Sequence, residues 1–331
     1  MATSTRSFGT SRREGHDASA FYERSLAATS FSMDGDIANV PARNLDRVYH
    51  HSSETMGELP DNSVALMVTS PPYHVGKDYD SNASFEDYLV LLGTVFAEVR
   101  RVLEPGGRAA VNVANLGRRP YLPLSHRVGA ILEDLGFHMR GEVIWRKAKG
   151  AGNSCAFGTF ASAKNPVLRD VHEYVLVFSK GRMDRVRQGR STIDRDEFLS
   201  ATLSVWDIPA ESAQRIGHPA PFPVALAGRL IELYTFAGDV VLDPFLGSGS
   251  TAVAAVQAGR RFVGYDIKRD YVRLARQRIR QAKADLVAQA AKDESDQGGT
   301  AAARTGSLSR RPSARPAAEQ MPSSSSAAAQ P

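Results

Sequence analysis

Residues 239–267 read DVVLDPFLGSGSTAVAAVQAGRRFVGYDI, and this stretch decides the fold. An apolar run ends at Asp243, a loop carries Gly247 and Gly249, a small-residue run opens near Ser250, and a second apolar run ends at Asp266. That order predicts a strand, a tight loop, a helix and a second strand. Glycines in such a loop let the backbone turn sharply and let a ligand approach where a Cβ would collide. An acid about 20 residues past the loop, at the end of the next strand, is placed to accept hydrogen bonds from the hydroxyls of a ribose. The loop also fits G-x-G-x-x-A through Gly247, Gly249 and Ala252, so a dinucleotide pocket and a plain helix-packing turn stand beside a nucleoside site. No G-x-x-x-x-G-K-[ST] occurs, which excludes a P-loop.

The pattern repeats outward from this unit. Strands are predicted over 64–69, 108–114, 138–147, 173–180, 239–245 and 261–267, and helices over 84–103, 122–137, 222–235 and 250–259. The first helix opens with Ser84 and an acid three positions later, a capping-box start, and stops at the turn residues EPGG. Alternating strands and helices with nearly continuous apolar strands predict an α/β fold, a mostly parallel sheet covered on both faces. The folded unit spans about 41–285. Residues 1–40 read as a solvated leader, although their Arg, Ser and Thr content also suits an organellar transit peptide. Residues 286–331 are rich in Ala, Ser, Pro and Arg and read as a disordered tail.

Hydrophobic residues make up 42% and charged residues 23%, the balance of an ordinary globular protein. No apolar run approaches the roughly 20 residues that span a bilayer. One cysteine forms no internal disulfide and no Cys-rich metal site, which fits a reducing cytoplasm. The net charge of +5 is compatible with a polyanionic partner without establishing one.

Asp243, with Pro244 and Phe245, stands at the mouth of the glycine loop. A carboxylate there repels a pyrophosphate and attracts a cationic amino group, which puts S-adenosylmethionine ahead of a nicotinamide cofactor. The second informative stretch is TSPPY, residues 69–73, directly after the predicted strand 64–69. Two prolines neither continue a helix nor donate to a ladder, so they fix the carbonyls of Ser70 and Pro71 in set directions. Those acceptors suit an exocyclic amino group, and Tyr73 offers a flat face on which a flipped base can stack. Both corners follow strand ends, where open α/β sheets bind ligands.

TSPPY and DPFLGSGST together resemble the catalytic and cofactor signatures of bacterial DNA amino-methyltransferases, which methylate cytosine N4 or adenine N6. The catalytic motif comes first and the cofactor loop last, as in the circularly permuted β group of that family. The resemblance covers about residues 45–282 and implies a Rossmann-like S-adenosylmethionine-dependent methyltransferase fold. It implies catalytic roles for Ser70, Pro71, Pro72 and Tyr73. It implies cofactor contacts at Asp243, Pro244, Phe245, Gly247, Gly249, Ser250, Thr251 and Asp266, and at His218, Pro219 and Phe222 of HPAPFP. Trp145, in EVIWRK, is expected beside the base pocket. Target recognition is expected over 148–205, with Arg146, Lys147, Lys149 and Lys164 meeting phosphates and Phe157 and Phe160 available to wedge bases. Residues 181–198 are either a further recognition loop or plain surface.

Ser before Pro-Pro-Tyr is more usual among cytosine-N4 enzymes, so N4 of cytosine is the expected target and N6 of adenine the alternative. A non-catalytic nucleic-acid-binding relative is a remote third. Cys155, in NSCAF, lacks the Pro-Cys setting of cytosine-C5 enzymes, which disfavours ring methylation. His74 needs no acid–base role, because solvent can take the proton. The implied partner is double-stranded DNA, with a cognate restriction endonuclease and a homodimer left open. No metal is implied.

Overall fold

The computed structural model describes residues 35–72, 84–116, 120–147, 158–219 and 221–305, with side chains as far as Asp293. The strands are β1 (Arg47–Tyr49), β2 (Val64–Thr69), β3 (Leu103–Val113), β4 (Phe137–Arg146), β5 (His172–Lys180), β6 (Val205–Asp207), β7 (Val240–Asp243) and β8 (Arg261–Tyr265). The helices are α1 (Phe85–Val102), α2 (Leu124–Asp134), α3 (Arg195–Ala201), α4 (Ala213–Ile216), α5 (Val224–Tyr234), α6 (Ser250–Gln257) and α7 (Arg269–Thr305). The strands form a single sheet in the order β1-β8-β7-β2-β3-β5-β4-β6. Only β5 runs against its neighbours, β3 and β4; the other pairings are parallel. The predicted α/β class, with a mostly parallel sheet, is what the chain adopts.

The chain divides into two compact units, Met1–Ala284 and Asp285–Pro331. In the second unit the described residues, to Thr305, are helical where composition predicts an irregular tail. The alanines, Lys292, Glu294 and Gln297 of this region are good helix formers, although Asp293, Ser295, Asp296 and Gly298-Gly299 are not, and elongating a helix costs far less than nucleating one. At the other end the fold begins before residue 41: Ala38 N–H donates to Asn62 O at 3.0 Å and Val40 is buried.

Two crossovers build the first unit. From β2 the chain passes through α1 to β3 on one side, and from β7 it passes through α6 to β8 on the other. Right-handed crossovers in opposite directions put their helices on opposite faces. The cores show this by alternation. Leu66, Val68, Val175, Val177 and Val241 face a cluster with α5, α6 and the start of α7. Met67, Leu176, Phe178 and Leu242 face the cluster with α1 and α2. Helix α1 starts where predicted, with a reciprocal capping box between Ser84 and Asp87.

The residues EPGG do more than turn the chain. Pairing of β2 with β3 starts at Leu103, breaks, and resumes at Arg108. In the gap Gly106 has φ 78°, and a Cβ there would lie 1.8 Å from the carbonyl oxygen of Asp184. Glu104 is buried and receives Arg185 and, at 3.2 Å, Arg187; Arg185 also reaches Asp239 at 2.5 Å. At this point the charged segment after β5 is therefore not plain surface but a strap pinned by buried ion pairs.

Strand β2 lies between β3 and β7, pairing Leu66 with Val241 and Met67 with Leu242. The two strands end together. Thr69 Oγ1 donates to Asp243 Oδ1 at 2.6 Å, and Phe245 N–H donates to the same oxygen at 3.1 Å. Asp243 is 5% exposed. Burial pushes its carboxyl up to about 6 from the ordinary 3.8, although hydrogen bonds from Thr69, Thr251 and Phe245 favour the anion.

Two stability measurements follow from these buried charges. Because the folded pKa of Asp243 is raised, protonation favours the fold: stability from this group grows as pH falls through 6 and is fully present below 3.8. The displacement is worth roughly 3 kcal/mol. Asp243→Asn should thus be the more stable protein at about pH 7.5, by up to that amount, with the advantage gone near pH 4. A difference that does not change with pH would place the carboxyl in water. For the strap, Arg185→Met should cost about 3–5 kcal/mol, since it takes the arginine from buried Asp239 and leaves buried Glu104 with Arg187 alone. Urea unfolding followed by the fluorescence of Trp145 and Trp206, both buried, reads this. A loss below about 1 kcal/mol, the range of exposed pairs, would show the network to be solvated.

Candidate active site

Past Thr69 the chain leaves the sheet through Ser70, buried Pro71 and Pro72. Past Asp243 it leaves through Pro244 and Phe245. Between these corners opens a cleft of about 320 Å³, lined by Ser70, Pro72, Pro244, Phe245 and Asp266 among others. One cavity therefore touches both stretches that the sequence singles out. The segment after β1 (His51 to Glu54), the first turns of α1 (Asp87, Tyr88, Leu91), and Ile267, Lys268 and Tyr271 are the other described residues of the lining.

Asp266 sits at the end of β8. Its Oδ2 accepts from Gly247 N–H at 2.9 Å and its Oδ1 from Lys268 N–H at 2.7 Å. Burial raises its pKa, opposed by those two backbone donors and by the Lys268 charge. Each oxygen keeps a further lone pair, so the carboxylate can still accept from a ligand in the cleft.

The glycine loop serves packing as much as access. Gly249 caps α6 with φ 84°, and a Cβ there would come within 2.8 Å of Ala275 Cβ. Gly247 has φ 50°, and a Cβ there would meet His218 Nε2 at 3.0 Å. Arg278 Nη1 donates to Ser248 O at 2.7 Å and to the hydroxyl of Ser250 at 3.2 Å, fixing the loop to α7. Thr251 is buried, its hydroxyl 3.3 Å from Val68 O. Gly249, Ser250, Thr251 and Asp243 thus shape the cleft from behind and are not among the residues that line it.

HPAPFP is only partly drawn in. The His218 ring lies 4.5 Å from Tyr271, which lines the cleft. Pro219 is exposed, and Phe222 packs against the core. Trp145, expected beside the base pocket, is a core residue: it is 3% exposed and its indole N–H donates to Ile208 O at 2.8 Å. Of the basic residues, Arg146 is exposed but held by Asp207 at 2.6 Å. Lys147 Nζ pairs with Glu173 at 2.5 Å. Lys164 is exposed in the segment between β4 and β5, and Phe160 is 80% exposed there. Tyr73, His74, Lys149, Cys155 and Phe157 lie outside the described residues.

Sequence reasoning did not reach His51–Glu54 or Tyr88. The strand that delivers the former is three residues long, too short to show alternation, and Tyr88 reads simply as part of an amphipathic helix. Among the described residues no group of three His, Cys, Asp or Glu could hold a metal, and no helix is long and apolar enough to cross a membrane.

Comparison with known proteins agrees with this geometry. The N6/N4 family model described as DNA methylase matches residues 64–277. Type II methyltransferase M.MthZI of Methanothermobacter thermautotrophicus is 31% identical over 273 residues, covering 70% of this chain and 76% of that protein. Type II methyltransferase M.ScaI of Streptomyces caespitosus is 29% identical over 246 residues, covering 69% and 79%. The structure of a DNA modification methylase from Thermus thermophilus, complexed with S-adenosyl-L-methionine, superposes with a TM-score of 0.60 at 31% identity, covering 71% of this chain and 93% of that one. The cytosine-N4-specific PvuII DNA methyltransferase shares the fold at 22% identity, with a TM-score of 0.56 over 70% and 85%. On the strength of the matched span from β2 through the first turns of α7, the chain belongs to the N6/N4 DNA methylase family.

Proposed function

We propose that this protein transfers the methyl group of S-adenosyl-L-methionine to the N4 amino group of a cytosine in double-stranded DNA. The observation that carries the reading is the single cleft reaching from the Asp266 carboxylate to the Ser70–Pro72 corner. Its size suits a nucleoside-bearing ligand. Asp266 accepts from the ribose hydroxyls, and Pro244 and Phe245 give the adenosine part an apolar wall. When bound, the cofactor supplies an electrophilic methyl on its sulfonium.

The chain supplies position. The target base leaves the duplex and stacks on Tyr73, at the cost of a few kcal/mol of lost pairing and stacking. Ser70 and the Pro71 carbonyl accept from its amino group and turn the nitrogen lone pair towards the methyl. Acceleration then comes from orientation and fixed dipoles. The proton is lost after transfer, when the amino group is cationic, and water takes it. Ser at position 70 is the feature that favours cytosine over adenine. Lys164 and its neighbours between β4 and β5 face the phosphates; Arg146 and Lys147 contribute only by releasing Asp207 and Glu173. The Type II relatives support a place in a restriction–modification pair, and a DNA substrate fits action in the cytoplasm.

Digesting duplex DNA to nucleosides after incubation with protein and cofactor tests the reaction. N4-methylcytosine is expected. N6-methyladenine would move the target while keeping the reaction class, and no methylated nucleoside would overturn the reading. Calorimetry tests the cofactor site: Asp266→Ala should weaken S-adenosyl-L-methionine roughly tenfold to a hundredfold, the loss of hydrogen bonds to a charged group. Wild-type affinity would remove Asp266 from the ribose contact.

A further inference from the structure

Behind Ser70 a line of polar side chains crosses the sheet away from the cleft. Asn112 lies on β3, one residue past the Thr69–Val111 pair, and its Nδ2 donates to Ser70 Oγ at 3.4 Å. The same Nδ2 donates to Glu173 Oε2 on β5 at 2.5 Å. Glu173 Oε1 receives Lys147 Nζ, just beyond β4, at 2.5 Å, and that ammonium also lies 5.4 Å over the Trp145 ring. The line spans four neighbouring strands, β2, β3, β5 and β4. Asn112 is 2% exposed and Glu173 7%.

Two features make this more than sheet filling. Burying an amide and a carboxylate beside Val113 and Val175 is costly where apolar residues would satisfy the same backbone. The orientation is also fixed by charge. A carboxylate accepts only, so the group that Asn112 turns to Glu173 must be its NH₂. Ser70 Oγ, beside the same nitrogen, is therefore an acceptor on that side, and its own O–H bond points elsewhere.

We propose that Asn112, Glu173 and Lys147 are positioning residues that set the hydroxyl orientation of Ser70. The proposal rests on the methyl-transfer reading above. Lys147 holds Glu173, Glu173 fixes the amide of Asn112, and the amide fixes which lone pair of Ser70 remains for the target amino group. Because Lys147 directly precedes the segment expected to recognise DNA, the line joins that segment to the reacting corner.

Single-turnover methylation of duplex DNA across the neutral pH range, with cofactor affinity measured in parallel, tests this. Glu173→Gln lets the amide of Asn112 turn over and should slow transfer on the order of tenfold to a hundredfold, as misplacement at a reacting centre does, with cofactor affinity unchanged. Asn112→Asp places two carboxyls in contact, which must share a proton. Among the described residues the titratable groups facing that position are Glu173 on β5 and Lys147 beyond β4; on the β2 side Asp243 bonds Thr69, one residue before Ser70. Transfer by Asn112→Asp should therefore fall as pH rises through the shared ionisation, a limb the wild type lacks. The double variant Asn112→Asp/Glu173→Gln restores one acid and one amide and should lose that limb. Lys147→Met, at the partly exposed end, keeps the test open if the buried variants unfold; it should slow transfer several-fold without changing cofactor affinity. Side chains that merely fill the sheet would change thermal stability while leaving the rate of folded protein and its pH profile at wild-type values, and that result overturns the proposal. A wild type that transfers no methyl group defeats the functional reading itself; an active wild type with unaffected variants defeats the positioning line alone.

Discussion

The hydrogen bond from Thr69 to Asp243 ties together what the sequence keeps far apart. Its partners are 174 positions distant, yet they end adjacent parallel strands. Both corners of the cleft lie one to three residues beyond one of them. Ser70 and Pro72 follow Thr69; Pro244 and Phe245 follow Asp243. A register slip of one residue between β2 and β7 would turn one corner to the opposite face of the sheet. The site therefore depends on strand register rather than on loop conformation. A buried carboxyl pushed up to about 6 is the cost the fold carries for holding that register with a charge-assisted bond.

The location of the cleft follows from the same pair. The chain leaves β2 for β3 on one side and β7 for β8 on the other, so β2 and β7 form the point where strand order reverses. At such a point the connecting helices diverge to opposite faces, and a crevice opens beyond the strand ends without any side chain being removed to make it. Gly249 then matters because α7 crosses closely behind the loop, where a Cβ would strike Ala275. Gly247 brings its N–H to Asp266, fixing the acid that faces the cavity. The glycine pattern is thus explained first by packing, and the cavity is the consequence.

What was legible in the sequence is what rests on local periodicity. The strands after residues 64 and 239, the capping box at Ser84 and the α/β alternation all follow from neighbours within a few positions. So did the pairing of the two corners, because parallel sheets put strand ends together. The short strands Arg47–Tyr49 and Val205–Asp207 were not legible, since three residues carry no period. Charge partners were not legible for a related reason. Arg146 and Lys147 look like phosphate contacts in isolation, but their partners Asp207 and Glu173 come from strands that only the folded sheet brings alongside. The same blindness hid the strap after β5, where the partners of Arg185 lie at Glu104 and Asp239.

Pairing of these charges also shapes how the protein would meet DNA. A lysine that already neutralises a buried carboxylate cannot turn to a phosphate without leaving that carboxylate uncompensated, which costs more than an exposed contact contributes. Lys147 is in that position, while Lys164 is exposed. The count of 41 lysines and arginines therefore overstates the cations available to a polyanion, because part of them is engaged inside the fold. On the proposed reading, phosphate binding then falls to exposed residues between β4 and β5, next to exposed Phe160. Lys147 itself sits where that segment meets the sheet, with Glu173, Asn112 and Ser70 behind it. Such a residue is better placed to report the arrangement of the segment to the reacting corner than to hold the duplex.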